Sequence, residues 1–293
     1  MRLWLLAIPA LLCAADLKID HATVAGRDLK KMQAALATVG IPTIYGGPHA
    51  NGVTEMALAS FADGSYLEAI AIQPKADPKA VDRHEWAQFL KEDGTPCAWA
   101  VQSKDLAGDR KRLKAAGVTV SEPVRAGRQR PDGVRLDWET ADLGTAVRGS
   151  FFPFFIHDFT PREQRAFPAG KPTTRDFKAV TRIVIAVRNL DAAVEEYRKA
   201  FALPAAIKQV DKDFGAQLAI VGDAPVVFAQ PLHAGTWLDE RVQKFGDGPC
   251  AFILGATRPG PYKAASKSRW FGIDISWFDA EKLGWHLGYE AAR

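Results

Sequence analysis

Residues 19–29 read IDHATVAGRDL, an apolar run of strand character that ends at Asp28, a residue able to cap a following helix. The same frame returns as CAWAVQSKDL (97–106) and VTRIVIAVRNL (180–190), and each copy leads into a helix with one apolar face. In the first copy that face is Leu29, Met32, Leu36 and Val39, spaced by threes and fours, with Gly40 as terminator. In the second, Asp105 caps a helix from Leu106 to Ala116 that ends at Gly117. In the third, Asn189 caps a helix whose apolar face is Leu190, Ala193, Val194, Tyr197 and Phe201. Only the first copy carries a histidine, His21.

Strands follow the helices. EMALASFADGSYLEAIAIQP (55–74) holds two β-like runs around Asp63-Gly64, and AQLAIVGDAPVVFAQP (216–231) repeats the plan around Asp223-Ala224. A fourth, degenerate copy is visible where GTPCAWAV (94–101) is echoed by DGPCAFIL (247–254), and GVRLDW (133–138) by GIDISW (272–277). There Pro259 and Pro261 oppose a full helix after the strand. One βαβββ module cannot bury its own sheet face, whereas two can wrap a curved sheet around a shared cleft with helices outside. The expected class is α+β, with tandem modules paired into two domains of curved mixed sheet: residues 16–166 and 177–293. The polar, Pro- and Gly-bearing segment 167–176 is the linker.

The chain has 293 residues, 47% hydrophobic and 25% charged, with a net charge of +4, too mild a basic excess to argue for nucleic acid. No zinc-finger spacing, phosphate loop, dinucleotide fingerprint or serine elbow occurs. MRLWLLAIPALLCAAD reads as a leader: Arg2, an apolar stretch, then small residues at Cys13 and Ala15 before a cut at Asp16. Leu12 is too bulky for a lipid anchor on Cys13. Residues 1–15 are therefore expected to be a signal peptide, and the mature protein to be periplasmic or secreted, without a membrane span, as a monomer or homodimer. Cys97 and Cys250 read as buried free thiols on strands.

The segments IDHATVAGRDLKKMQAAL, GGPHANGVTEMALASFADGSYLEAIA, RQRPDGVRLDW and FFPFFIHDFTPREQR resemble the glyoxalase-like domain proteins of the vicinal-oxygen-chelate superfamily, and VTRIVIAVRNLDAAVEEYRKAFAL extends the likeness. The resemblance implies a divalent metal (zinc, iron, manganese or nickel) in the cleft, polarising two substrate oxygens, with ligands from the first and last strand of each module. Carried over residue by residue, these are His21 and Glu68 in module one. In module two the frame gives Ala98 at the His21 position, and the last strand offers His157 and Asp158. His21, Glu68 and His157 would form a two-histidine, one-carboxylate set. The third module gives Arg182 for His21 and, counting from Asp223 as from Asp63, Phe228 for Glu68; the fourth gives Ala251 for His21. The second domain is therefore expected to hold no metal in this way.

Beside this set, Glu68 is a candidate general base, since a carboxylate in an apolar strand requires a partner. His49, in the Gly-rich YGGPHANGVTE, is a candidate ligand or proton carrier, with Glu55 nearby as a base. Arg125, Arg128 and Arg130 are candidates for clamping an anion, and Trp138 for cleft wall. His84 lies in the helix-like insert AVDRHEWAQFLKEDG and is expected on its polar side. The expected function is metal-assisted lyase, isomerase or dioxygenase chemistry on a small, oxygen-rich anion; the alternative is non-catalytic capture of a small molecule in the same cleft.

Overall fold

The computed structural model describes residues 17–257 and 262–292; the leader-like segment 1–15, Pro259 and Pro261 lie outside them. β1 (Ile19–Gly26) is buried along its whole length, as a strand covered on both faces must be. α1 (Leu29–Thr38) starts where Asp28 accepts the Lys31 N–H, buries Leu29, Met32 and Leu36, and gives way to Gly40 at φ +78°. β2 (Ile44–Pro48), β3 (Thr54–Ser60) and β4 (Tyr66–Ile72) complete the first module. The connection onward contains α2 (Pro78–Asp82). β5 (Thr95–Gln102), α3 (Leu106–Ala115), β6 (Val124–Gln129), β7 (Arg135–Ala141) and β8 (Phe154–Asp158) form the second, and α4 (Arg162–Ala166) follows. The strands make one mixed sheet ordered β2-β3-β4-β1-β5-β8-β7-β6, with β1 parallel to β4 and antiparallel to β5.

Residues 167–176 carry no helix or strand. Beyond them come β9 (Phe177–Ala186), α5 (Leu190–Phe201), β10 (Ala206–Asp211), β11 (Ala216–Val221), β12 (Val226–Pro231) and α6 (Trp237–Phe245). β13 (Gly248–Ala256), β14 (Ser266–Trp270), β15 (Ile273–Trp277), α7 (Ala280–Leu283) and β16 (His286–Ala291) complete the half. The second sheet, β10-β11-β12-β9-β13-β16-β15-β14, repeats the first strand for strand. The expected insert helix is shorter than its pattern: only α2 forms, and the ring of His84 accepts the Trp86 N–H, a donor that a continuing helix would need.

Strand alternation sorts the side chains. On β9, Ile183 and Ile185 face outward and join Tyr197 and Phe201 of α5 and Val101 and Phe152 of the first half in one continuous core. The helices lie outside their own sheets, yet the outer faces of the two halves bury each other. Tyr197, fully buried, donates its O–H to the Phe151 carbonyl at 2.5 Å across that contact. The inner faces differ. In the second half Phe214, Trp237, Trp270 and Trp277 fill the concavity with aromatic contacts. In the first it stays open.

The turn before β8 shapes that opening. Gly149 has φ +68°, and a Cβ there would lie 2.8 Å from Ala98 Cβ and 3.0 Å from the Trp99 carbonyl, which is backbone and cannot swing away. Gly149→Ala is expected to cost about 1–3 kcal/mol and to displace the adjacent Arg148. A urea midpoint unchanged from wild type would contradict this.

Candidate active site

On β4, Tyr66, Glu68 and Ile70 line a cavity of about 430 Å³, while Leu67 and Ala69 point into the shared core. β1 runs parallel beside it with His21 opposite Tyr66 and Thr23 opposite Glu68. The Glu68 carboxylate is buried, and Thr23 donates its hydroxyl to Oε2 at 3.2 Å. Nε2 of His21 lies 3.9 Å from Oε2, and Nε2 of His49, from the turn after β2, lies 3.6 Å from Oε1. Both rings are held from behind: Nδ1 of His21 meets Asp20 Oδ1 at 2.6 Å, and Nδ1 of His49 meets Thr54 Oγ1 at 2.8 Å. Burial pushes the Glu68 carboxyl up, but the His49 contact, the charges of His21 and His49 and the Thr23 hydroxyl outweigh it and bring the carboxyl down to about 2. A carboxylate that holds its proton so weakly is a poor base near neutral pH and a good anionic ligand.

Two imidazoles and a carboxylate suit a divalent cation, and the Asp20 carboxylate behind His21 resembles the partners that orient metal-bound histidines. The donor chemistry therefore fits the metal implied by the resemblance. Among the described residues, however, no three His, Cys, Asp or Glu side chains close into a cage.

Module two adds no donor. The register puts Ala100 opposite Phe154, as Thr23 stands opposite Glu68, so the Glu68 position is occupied by Phe154 and the His21 position by Ala98. His157 lies three residues further along β8, an odd step onto the other face, where its Nδ1 meets the Ser103 carbonyl at 2.9 Å. The structure does not bring it to His21 and Glu68. Val227, not Phe228, matches Glu68 in the third module, because Val184 pairs with Val227 across β9 and β12. The β11–β12 connection is one residue shorter than that between β3 and β4, and a one-residue slip reverses the face.

The arginines separate as well. Arg128 is 5% exposed; its Nη1 donates to the Gly46 carbonyl at 2.5 Å, and its Nη2 is buried with no partner at the cavity wall. Arg130 points away, binding the carbonyls of Gln164 and Pro168 and the Asp132 carboxylate. Arg125 stacks on Phe159, 4.1 Å from the ring centroid, and Glu55 accepts the Tyr45 hydroxyl outside the cavity. Trp138 forms cavity wall with Phe154 and Ile156. His84, expected on a polar face, also lines the cavity; burial and the neighbouring His49 lower its pKa. Cys97 and Cys250 are both free and buried.

The sequence profile of the glyoxalase-like domain matches residues 19–202, more than half of the chain. The chain belongs to the glyoxalase-like domain family. Its place in the vicinal-oxygen-chelate superfamily agrees with its two curved mixed sheets. A hypothetical protein from Staphylococcus aureus superposes with a TM-score of 0.65 at 15% identity, over 94% of this chain and 99% of that one. A mutant of 4-hydroxymandelate synthase from Streptomyces coelicolor gives a TM-score of 0.55 at 12% identity, over 94% and 93%. Methylmalonyl-CoA epimerase from Mycobacterium tuberculosis, 14% identical, covers 41% of this chain with 92% of its own at a TM-score of 0.36. No curated protein matches. At such identities the likeness is one of fold.

In this glyoxalase-like protein several cavity residues escape a reading of the frame alone. Arg148 lies over the Phe154 ring at 3.9 Å and binds Asp142 at 2.6 Å. Tyr66 stacks on His21 with centroids 4.8 Å apart. Arg165 reaches the cavity from α4 with its charge matched by Asp20 and Asp158. Arg128 is thus, among the described residues, the cavity arginine with a buried N–H group that has no partner.

Proposed function

We propose that the cavity of the first half acts on a small, oxygen-bearing anion with the help of a divalent cation held by His21 and Glu68. The observation that carries this reading is the convergence of His21 Nε2 and His49 Nε2 on the Glu68 carboxylate. A cation bound there would polarise substrate oxygens and stabilise developing negative charge. Arg128 supplies the anion contact, since a buried guanidinium N–H without a partner favours an oxyanion. Trp138, Phe154 and Ile156 shield the reacting group from water. His49, whose side chain is 22% exposed against 6% for His21, is the better placed to carry a proton to solvent.

Protein purified without chelator is expected to carry a divalent metal, and His21→Ala to lose it. Metal-free wild-type protein whose zinc uptake is unchanged in His21→Ala would overturn the reading. Arg128→Met should weaken binding of small carboxylates at least about 10-fold while leaving metal content intact. The second reading, non-catalytic capture of a small molecule, is favoured by Ala98 and Phe154 in the ligand positions of module two. Thermal stabilisation by a bound carboxylate that persists in chelator, without turnover, would select it. Export belongs to the same proposal and is supported by the leader-like sequence of residues 1–15; N-terminal sequencing of the periplasmic form should start at Asp16.

A further inference from the structure

We infer that Asp20, gripped by Arg162 and Arg165 of α4, is a positioning residue that decides which nitrogen of His21 faces Glu68. The inference deepens the proposed function and rests on His21 being one of its working groups. Asp20 is fully buried. Its Oδ1 accepts from His21 Nδ1 at 2.6 Å and from Arg165 Nη1 at 3.0 Å. Its Oδ2 accepts from Arg165 Nη2 at 2.8 Å and from Arg162 Nη1. With donors on both oxygens, the carboxylate serves only as an acceptor. Nδ1 of His21 must then carry the hydrogen, and a neutral ring turns a lone pair on Nε2 toward Glu68 and the cavity. Rotation of the ring is blocked by Tyr66, stacked within 6° of parallel, and by Phe154, edge-on at 5.4 Å.

The grip is itself braced. Arg165 holds Asp158 at 2.6 and 2.7 Å and the Tyr66 hydroxyl at 2.6 Å, while Arg162 also reaches the Gly64 carbonyl at 2.5 Å. The device occurs only beside the histidine. At the positions corresponding to Asp20, the other modules carry Cys97, Thr181 and Cys250. Thr181 donates to the Ile253 carbonyl at 3.1 Å, and Arg182 pairs with Glu290 instead.

The test reads the tautomer directly, in metal-free, full-length protein labelled with 15N-histidine, by long-range proton–nitrogen spectra at a pH where the ring is neutral. Wild-type His21 is expected to show the Nδ1–H tautomer. In Asp20→Asn the amide oxygen turns to the two arginines and its NH2 to His21, so the ring should switch to Nε2–H, with zinc affinity falling roughly 10–100-fold. Should Asp20→Asn not fold, the wild-type spectra carry the test. Arg162→Met is the control: Arg165 still binds both Asp20 oxygens, the carboxylate stays an acceptor only, and Nδ1–H should persist. Nδ1–H persisting unchanged in folded Asp20→Asn, or Nε2–H in the wild type or in Arg162→Met, would overturn the inference. Because the spectra need neither metal nor substrate, a wild-type Nδ1–H ring in a protein that takes up no zinc, iron, manganese or nickel would refute the cation-binding function and leave the positioning role standing.

Discussion

A Glu68→Gln protein is expected to lose divalent-cation affinity by roughly 100-fold or more and to unfold differently in acid. The amide keeps the shape of the side chain and its place opposite Thr23 but removes the negative charge that both imidazoles face. The ordinary carboxyl value is 4.5 and the folded one about 2. As pH falls, the unfolded chain therefore binds this proton before the folded one does. The stabilisation, roughly 3–4 kcal/mol, is complete well above 4.5, shrinks as pH drops through it, and is gone below about 2. Glu68→Gln should lack this limb and show a flatter stability profile on the acid side. Urea unfolding at stepped pH, beside zinc titration, measures both effects. The same acid limb in variant and wild type would assign the loss to other carboxylates, with Asp20 the first alternative, since the two arginines and His21 hold it well below the carboxylate range against the opposing effect of its burial.

The second large effect is structural. Arg165 is 3% exposed and joins Asp20 to Asp158 through bidentate contacts on both. Arg165→Met leaves two carboxylates in a poorly solvated site, and breaking a buried pair from one side costs about 3–5 kcal/mol. Arg162 touches both carboxylates and offsets part of the loss, so the lower end of that range is expected. Removing Arg162 instead, which is more exposed, should cost about 1–2 kcal/mol. Chemical denaturation of the two variants compares them, and an Arg165→Met protein within about 1 kcal/mol of wild type would show that the network adds little.

The fold was legible because its signals are local. Asp28, Asp105 and Asn189 each cap a helix within three residues, and the apolar steps along each helix need no knowledge of its partner. His21 and Glu68 were legible because each sits in a strand whose frame repeats. Beyond that the frame misleads. Phe228 was assigned by counting across a connection that is one residue shorter in the structure, and strand periodicity makes such a slip a reversal of face. His157 was drawn from the appropriate strand but from its outward side. Asp20 stood beside His21 in the sequence, yet its role depends on Arg165, 145 residues away, and no local pattern announces a partner at that distance. His84 reads as lying on the polar side of a helix, but that helix ends at Asp82, two residues before it.

The outer core common to both halves has a thermodynamic consequence. With Tyr197 and Phe201 packed against Phe152, neither half can open without baring apolar surface on the other, so heat should melt the chain in one cooperative transition. Occupancy of the first cavity would then raise the melting point of the whole molecule. Amides on β12 and β16, far from any bound group, would exchange more slowly once it is filled.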